Sequence, residues 1–185
     1  LGGASHAEKV NFCKFTNETR LAMEDASENS GQRYIAAIAG TAAGGGYELA
    51  LATDHIILVD DGASAISLPE VPMLAVLPGT GGLTRVVDKR HVRRDRADFF
   101  CTVTEGIRGR RALDWDLVDE LAPRSAMQET AQKRAAEFAV ASARPAVGAG
   151  IELTPLVREI AGDEIRYGTL IIALERADGV AAFTI

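Results

Sequence analysis

With 26 acidic against 20 basic side chains in 185 residues, and a formal net charge of −6, the chain has the size of one ordinary domain, long enough to bury a core. That balance excludes a general affinity for nucleic acid, and no apolar run approaches the ~18 residues that a membrane-spanning helix requires. Cys13 and Cys101 form no C-x-x-C pair, and His6, His55 and His91 show no metal-ligand spacing. The expectation is two small buried apolar cysteines in a reducing compartment, and no metal site. The sequence opens on Leu1-Gly2-Gly3 with no charged-then-apolar leader, which reads as a piece of a longer cytoplasmic protein.

Taken in chain order, residues 5–29 read as a helix, with Val10, Phe12, Cys13, Phe15, Leu21 and Met23 as its apolar positions and Ser30-Gly31 as its stop. Tyr34 to Ala39 is a short apolar run suited to a buried strand. Gly44-Gly45-Gly46 then opens a small helix over Tyr47 to Thr53. Ile56 to Val59 is a second buried strand, and Ala65 to Leu68 a third. Gly79-Thr80-Gly81-Gly82 starts a helix through Val86, and helical pattern resumes over residues 92–101, 109–114 and 125–142, with a strand-like Leu117-Val118-Asp119 among them. Strands alternating with helices predict βαβ units around a largely parallel sheet. The domain reading is a core over residues 1–142, a linker over 143–162, and the start of a second unit over 163–185. In that tail Ala177-Asp178-Gly179 separates two β-like runs as a hairpin.

The chemistry-bearing residues begin with the three glycines. Such a run lets backbone approach a ligand closely and turns the free N–H groups of a helix start toward an anion, or toward a carbonyl that becomes one. A purely structural turn is the alternative. The phosphate-loop, dinucleotide and nucleophile-elbow patterns are all incomplete here. Glu48 follows two residues later in apolar company (Tyr47, Leu49, Ala50, Leu51), and Glu70 lies between Leu68-Pro69 and Val71-Pro72. Partly desolvated carboxylates have raised pKa values and suit proton transfer near neutrality; pairing to arginines is the competing explanation. Arg85, Lys89, Arg90, Arg93, Arg94 and Arg96 crowd one segment, which reads either as a solvated helix face or as a rim for a phosphate-bearing ligand.

Several blocks carry a family resemblance. Ile38-Ala39-Gly40-Thr41-Ala42-Ala43-Gly44-Gly45-Gly46-Tyr47-Glu48-Leu49-Ala50, then Asp54, Pro69-Glu70 and Pro78-Gly79-Thr80-Gly81-Gly82-Leu83-Thr84-Arg85, are similar to the signature run of the crotonase (enoyl-CoA hydratase/isomerase) superfamily. Residues 106–119 look like that family's later helix and its Gly-Leu-Val-Asp stretch, with Trp115 and Leu117 varying from the usual. Val10 to Arg20, Ser67 to Pro72 and Thr84 to Arg93 look like the branch that opens the ring of epoxidised benzoyl-CoA, rather than like generic hydratases.

The resemblance implies an α/β fold of crotonase-like ββα units, a parallel-type sheet flanked by helices, truncated at its N-terminus and followed by a second β-containing unit. It implies an acyl-CoA lyase that takes a CoA thioester as substrate and uses no cofactor beyond that coenzyme A. The partners it implies are identical subunits, with no nucleic acid and no membrane. The N–H of Gly45 would be one oxyanion-hole donor, and Glu48 and Glu70 the acid–base pair. Gly44, Ser67 and Gly79 would line the substrate site, a plain strand serine being the other reading of Ser67. The other oxyanion donor of the family comes from a loop before the first long helix, so the 185-residue chain alone is expected to be inactive. An ordinary hydratase or isomerase, and a non-catalytic CoA-ester binding protein, remain as alternatives.

Overall fold

Ile56, Ile57, Leu58 and Val59 are apolar without a break, so a strand built from them needs cover on both faces. In the computed structural model, which describes residues 3–145, 147, 148, 150 and 152–185, they receive it. Ile56 and Leu58 join a cluster with Tyr47, Leu51, Ile66, Leu68, Val86, Phe100 and Leu117, all fully buried. Ile57 and Val59, pointing the other way, pack with Ala122 and Met127. The period of two along the strand thus assigns alternate residues to two cores.

The elements run α1 (His6–Asn29), β1 (Ile35–Ile38), β2 (Ala42–Ala43), α2 (Gly45–Leu51), β3 (His55–Val59), β4 (Ala65–Ser67), α3 (Glu70–Leu74) and α4 (Gly82–Thr84). A π-helical turn (Arg85–Lys89) leads to α5 (Arg94–Phe100), β5 (Ile107–Arg108), α6 (Gly109–Asp114) and β6 (Glu120–Ala122). A 3₁₀ turn (Arg124–Ala126) then enters α7 (Met127–Ala141). Strands β1, β3 and β6 form a parallel sheet in the order β1-β3-β6. A second sheet runs β2-β4-β5, with β2 parallel and β5 antiparallel to β4. Tyr47 locks α2 to the base of β6: its hydroxyl donates to the Leu117 carbonyl at 2.7 Å, and its ring meets Phe100 edge-on, centroids 5.7 Å apart.

The chain divides into two compact units, Leu1–Arg144 and Pro145–Ile185. The second is an antiparallel meander of β7 (Glu159–Ala161), β8 (Glu164–Arg166), β9 (Ile171–Glu175) and β10 (Val180–Thr184). Its first strand falls within the stretch read from sequence as linker, because Glu159, Ile160 and Ala161 pair with β8. Among the described residues no helix is long and apolar enough to cross a membrane.

Helix α1 departs from the amphipathic expectation. A capping box of Ser5 and Glu8 starts it, but Val10, Phe12, Phe15 and Leu21 are exposed, and its buried residue is Arg20. The apolar positions do not form the inner stripe; a polar set does. The strand expected at Leu117-Val118-Asp119 is displaced to β6. Leu117 and Val118 are core side chains, and the ladder with β3 begins only where the Asp119 N–H donates to the Ile56 carbonyl.

Candidate active site

Glu48 sits on the first turn of α2 and is 3% exposed. A carboxylate there needs hydrogen bonds to offset its desolvation, and the Thr80–Gly82 turn supplies them. Oε1 accepts the N–H of Thr80 at 3.0 Å and that of Gly82 at 2.9 Å, and Oε2 accepts the Thr80 hydroxyl. The two backbone groups can only donate, so this cradle is built for an acceptor. Gly82 is required by closeness: a Cβ there would lie 2.7 Å from Glu48 Cγ.

Glu70 is held differently. It is the first residue of α3, after Pro69 at the cap position, rather than the last residue of a strand. Its Oε2 is buried with no hydrogen-bond partner among the described residues. Burial pushes its carboxyl above the ordinary value, its own backbone N–H opposes this, and the charge of Glu48 adds to the rise. Oε1 approaches the glycine run, 2.7 Å from where a Cβ on Gly44 would stand. With φ at +53° and a carboxyl in that space, Gly44 has no room for a side chain.

The glycine run is anchored on several sides. The Gly44 N–H donates to the Ser67 carbonyl at 2.9 Å, and the Gly44 carbonyl accepts the Glu48 N–H at 2.9 Å. Gly45 opens α2 and is exposed, so its N–H belongs to the first turn, whose amides have no intrahelical acceptor. The Glu70 carboxyl thus lies against Gly44, while Glu48 joins the glycine run through its backbone N–H and turns its carboxyl to the Thr80–Gly82 turn. Ser67 is buried at the end of β4 and holds Gly44 through its carbonyl. Gly79 is exposed in the turn next to Thr80 and has no neighbour within 4 Å of an added Cβ.

Sequence reasoning missed the residues that hold the site together. Thr80 and Gly82 lie 32 and 34 positions from Glu48, so only their N–H-rich turn composition hinted at an anion cradle. Arg20 is 6% exposed and donates from Nη2 to the Gly45 carbonyl at 2.8 Å and from Nη1 to the Thr16 carbonyl at 2.8 Å. Burial lowers its pKa from the ordinary value, and the charge of Glu48 pushes it back up. The basic segment is largely ion-paired. Arg85 and Lys89 share Glu24, Arg90 meets Asp119, Arg93 meets Asp95, and Arg96 lies over the Trp115 ring. Among the described residues no group of three or more His, Cys, Asp or Glu side chains is placed to hold a metal ion.

The two cysteines separate. Cys13 is exposed on α1, correcting the expectation that both are buried, because α1 turns its apolar positions outward. Cys101 is buried, and burial together with the charges of Glu70 and Asp98 pushes its thiol up to about 11. Alkylation near neutral pH followed by peptide mapping is expected to label Cys13 in the native protein and Cys101 only after denaturation.

Comparison with known proteins follows the same geometry. The profile of the enoyl-CoA hydratase/isomerase family matches residues 5–184. The chain belongs to that family. It is 61% identical over 167 residues to a benzoyl-CoA-dihydrodiol lyase of Aromatoleum evansii, across 90% of this chain and 30% of that protein. It is 38% identical over 112 residues to the fatty acid oxidation complex subunit alpha of Shewanella loihica, across 60% of this chain and 15% of that protein. Among solved structures, an enoyl-CoA hydratase from Bacillus anthracis superposes with a TM-score of 0.63 at 29% identity, over 75% of this chain and 50% of that one. The chain thus spans under a third of the length of these two curated relatives and half of the solved structure. Its fold class is crotonase-like, mixed helix and sheet with a parallel sheet flanked by helices.

Proposed function

We propose that the full-length protein converts 2,3-epoxybenzoyl-CoA and two waters into 3,4-didehydroadipyl-CoA semialdehyde and formate. The observation that carries this reading is two glutamates beside one glycine run: Glu48, buried two residues after Gly46, and Glu70, whose carboxyl lies against Gly44. Both oxygens of the Glu48 carboxyl accept hydrogen bonds, from the Thr80 and Gly82 N–H groups and from the Thr80 hydroxyl. Glu70 has a raised pKa and an unpartnered oxygen free to carry a proton. The thioester carbonyl would accept the N–H of Gly45, which stabilises negative charge as it develops on that oxygen and is typically worth about 3 kcal/mol. Glu48 then takes a proton from attacking water while Glu70 delivers one to the ring-derived carbon or oxygen. The balance is redox-neutral and calls on no cofactor beyond the coenzyme A of the substrate. The identity to a benzoyl-CoA-dihydrodiol lyase over nine-tenths of the chain supports the aromatic substrate.

A second reading, hydration or isomerisation of an enoyl-CoA, is favoured by the solved enoyl-CoA hydratase that shares the fold. One assay separates the two. The full-length protein is expected to release one formate per 2,3-epoxybenzoyl-CoA consumed and to hydrate crotonyl-CoA poorly. Brisk hydration without formate would replace the first reading by the second.

A further inference from the structure

A helix that docks on a domain ordinarily presents an apolar stripe, yet the inward stripe of α1 is Arg20, Glu24 and Ser27, spaced i, i+4 and i+7. Each reaches a different segment. Arg20 holds the Gly45 carbonyl at 2.8 Å. Glu24 accepts Nε and Nη2 of Arg85, both at 2.8 Å, and Nζ of Lys89 at 3.0 Å. Ser27 donates to Asp54 at 2.8 Å. Arg85, oriented by Glu24, donates from Nη1 to the Thr80 carbonyl at 2.9 Å, and the Thr80 N–H and hydroxyl hold Glu48. One turn of α1 therefore reaches both halves of the site, the glycine run through Arg20 and the Glu48 cradle through Glu24 and Arg85.

The arrangement is expensive for the fold. Burying a guanidinium costs free energy that an apolar side chain of similar size would not, and Arg20 Nε is left without a partner among the described residues. Position is what it supplies. Gly45 has no side chain to restrict its φ and ψ, so its N–H points where its two flanking peptides are held. The peptide before it is fixed through the Gly44 carbonyl by Glu48, and the one after it through the Gly45 carbonyl by Arg20.

We propose that Arg20 and Glu24 are positioning residues of this site: Arg20 aims the Gly45 N–H, and Glu24, through Arg85 and Thr80, aims the Glu48 carboxylate. The proposal rests on the reading of Gly45 and Glu48 given above. It divides the two roles between neighbouring residues, so each has its own signature.

The test uses the full-length protein with Arg20→Met, Arg20→Lys, Glu24→Gln and, as control, Glu48→Gln. The probe is benzoyl-CoA labelled with carbon-13 at the thioester carbonyl, read by infrared difference spectroscopy, alongside its Kd and the kcat for 2,3-epoxybenzoyl-CoA. Arg20→Met is expected to shrink the downward shift of the bound carbonyl stretch and to lower kcat about a hundredfold, as a misplaced catalytic group does, with Kd within about threefold of wild type. Arg20→Lys keeps the charge and recovers part of both losses. Glu24→Gln is expected to lower kcat about tenfold while leaving the carbonyl stretch unchanged, because its effect reaches Glu48 and not Gly45. Wild-type kcat and stretch in the Arg20 variants, or losses of kcat and binding that merely track the fraction folded, would overturn the proposal. If Arg20→Met does not fold, Arg20→Lys and Glu24→Gln decide it by the same two readouts. A wild-type complex with an unshifted carbonyl, or a fully active Glu48→Gln, instead removes the underlying reading of the site.

Discussion

Glu48→Gln and Glu70→Gln in the full-length protein are each expected to lower kcat for the epoxide by about 10²- to 10⁴-fold, the span usual for a lost general acid or base, while thioester binding survives. Their effects on stability should differ. In Glu48→Gln the amide oxygen can stay where Oε1 accepts the Thr80 and Gly82 N–H groups, and the new NH₂ meets the Thr80 hydroxyl, which can turn and accept. Unfolding should therefore change by no more than about 1 kcal/mol. Glu48→Ala leaves three donors facing an empty space and should cost about 1–3 kcal/mol more.

At Glu70 the sign reverses. Its folded pKa lies above the ordinary 4.5, chiefly through burial, so the folded state prefers the protonated form. The stability linked to this group is complete below the unfolded pKa and is lost as pH rises through the folded value. Glu70→Gln abolishes that loss. Its melting temperature should match wild type in acid and equal or exceed it near neutrality, even as kcat collapses. Thermal unfolding at several pH values checks this, and a variant less stable than wild type at neutral pH would contradict the assigned state of Glu70.

What the sequence made legible was local. The unbroken apolar run of β3, the glycine run before α2, and glutamates in apolar company all announce themselves within a few residues, and the Glu70 carboxyl lies against the Gly44 segment. The resemblance of the quoted blocks to the crotonase superfamily held because those blocks are the loops that build that segment. What stayed hidden was non-local. The Thr80–Gly82 cradle is defined only by what folds onto it, and two-residue strands such as β2 and β5 have no period to detect. Helix α1 misled for a physical reason: apolar residues at Val10, Phe12, Phe15 and Leu21 suggest an inner face, whereas its docking is carried by charge-assisted hydrogen bonds that hydrophobicity cannot report. A sequence reading alert to that possibility would have noticed Arg20, Glu24 and Ser27 at helical spacing.

The largest stability effect is expected at Gly106, outside the chemistry. Its φ is +71°, and a Cβ there would lie 2.4 Å from the Ile66 carbonyl oxygen and 3.0 Å from Ser67 Cβ. Gly106→Ala adds about 1–2 kcal/mol for a left-handed non-glycine residue to about 1–3 kcal/mol for overpacking. A total near 3 kcal/mol by urea titration is expected. Gly62 supplies the control, since it has the same φ of +71° with nothing within 4 Å of an added Cβ, so Gly62→Ala carries the backbone cost alone. The difference between the two variants isolates the clash with β4. That strand can yield only by moving its partners, because Ile66 and Ser67 pair with Ala42 and Ala43 of β2 on one side and Ile66 pairs with Ile107 of β5 on the other. The Ser67 carbonyl also holds the Gly44 N–H, so displacement of β4 should reach the glycine run and lower kcat even at temperatures where Gly106→Ala is fully folded. Equal losses of stability in the two variants would mean that the clash is relieved on the Gly106 side without moving β4, and activity should then be untouched.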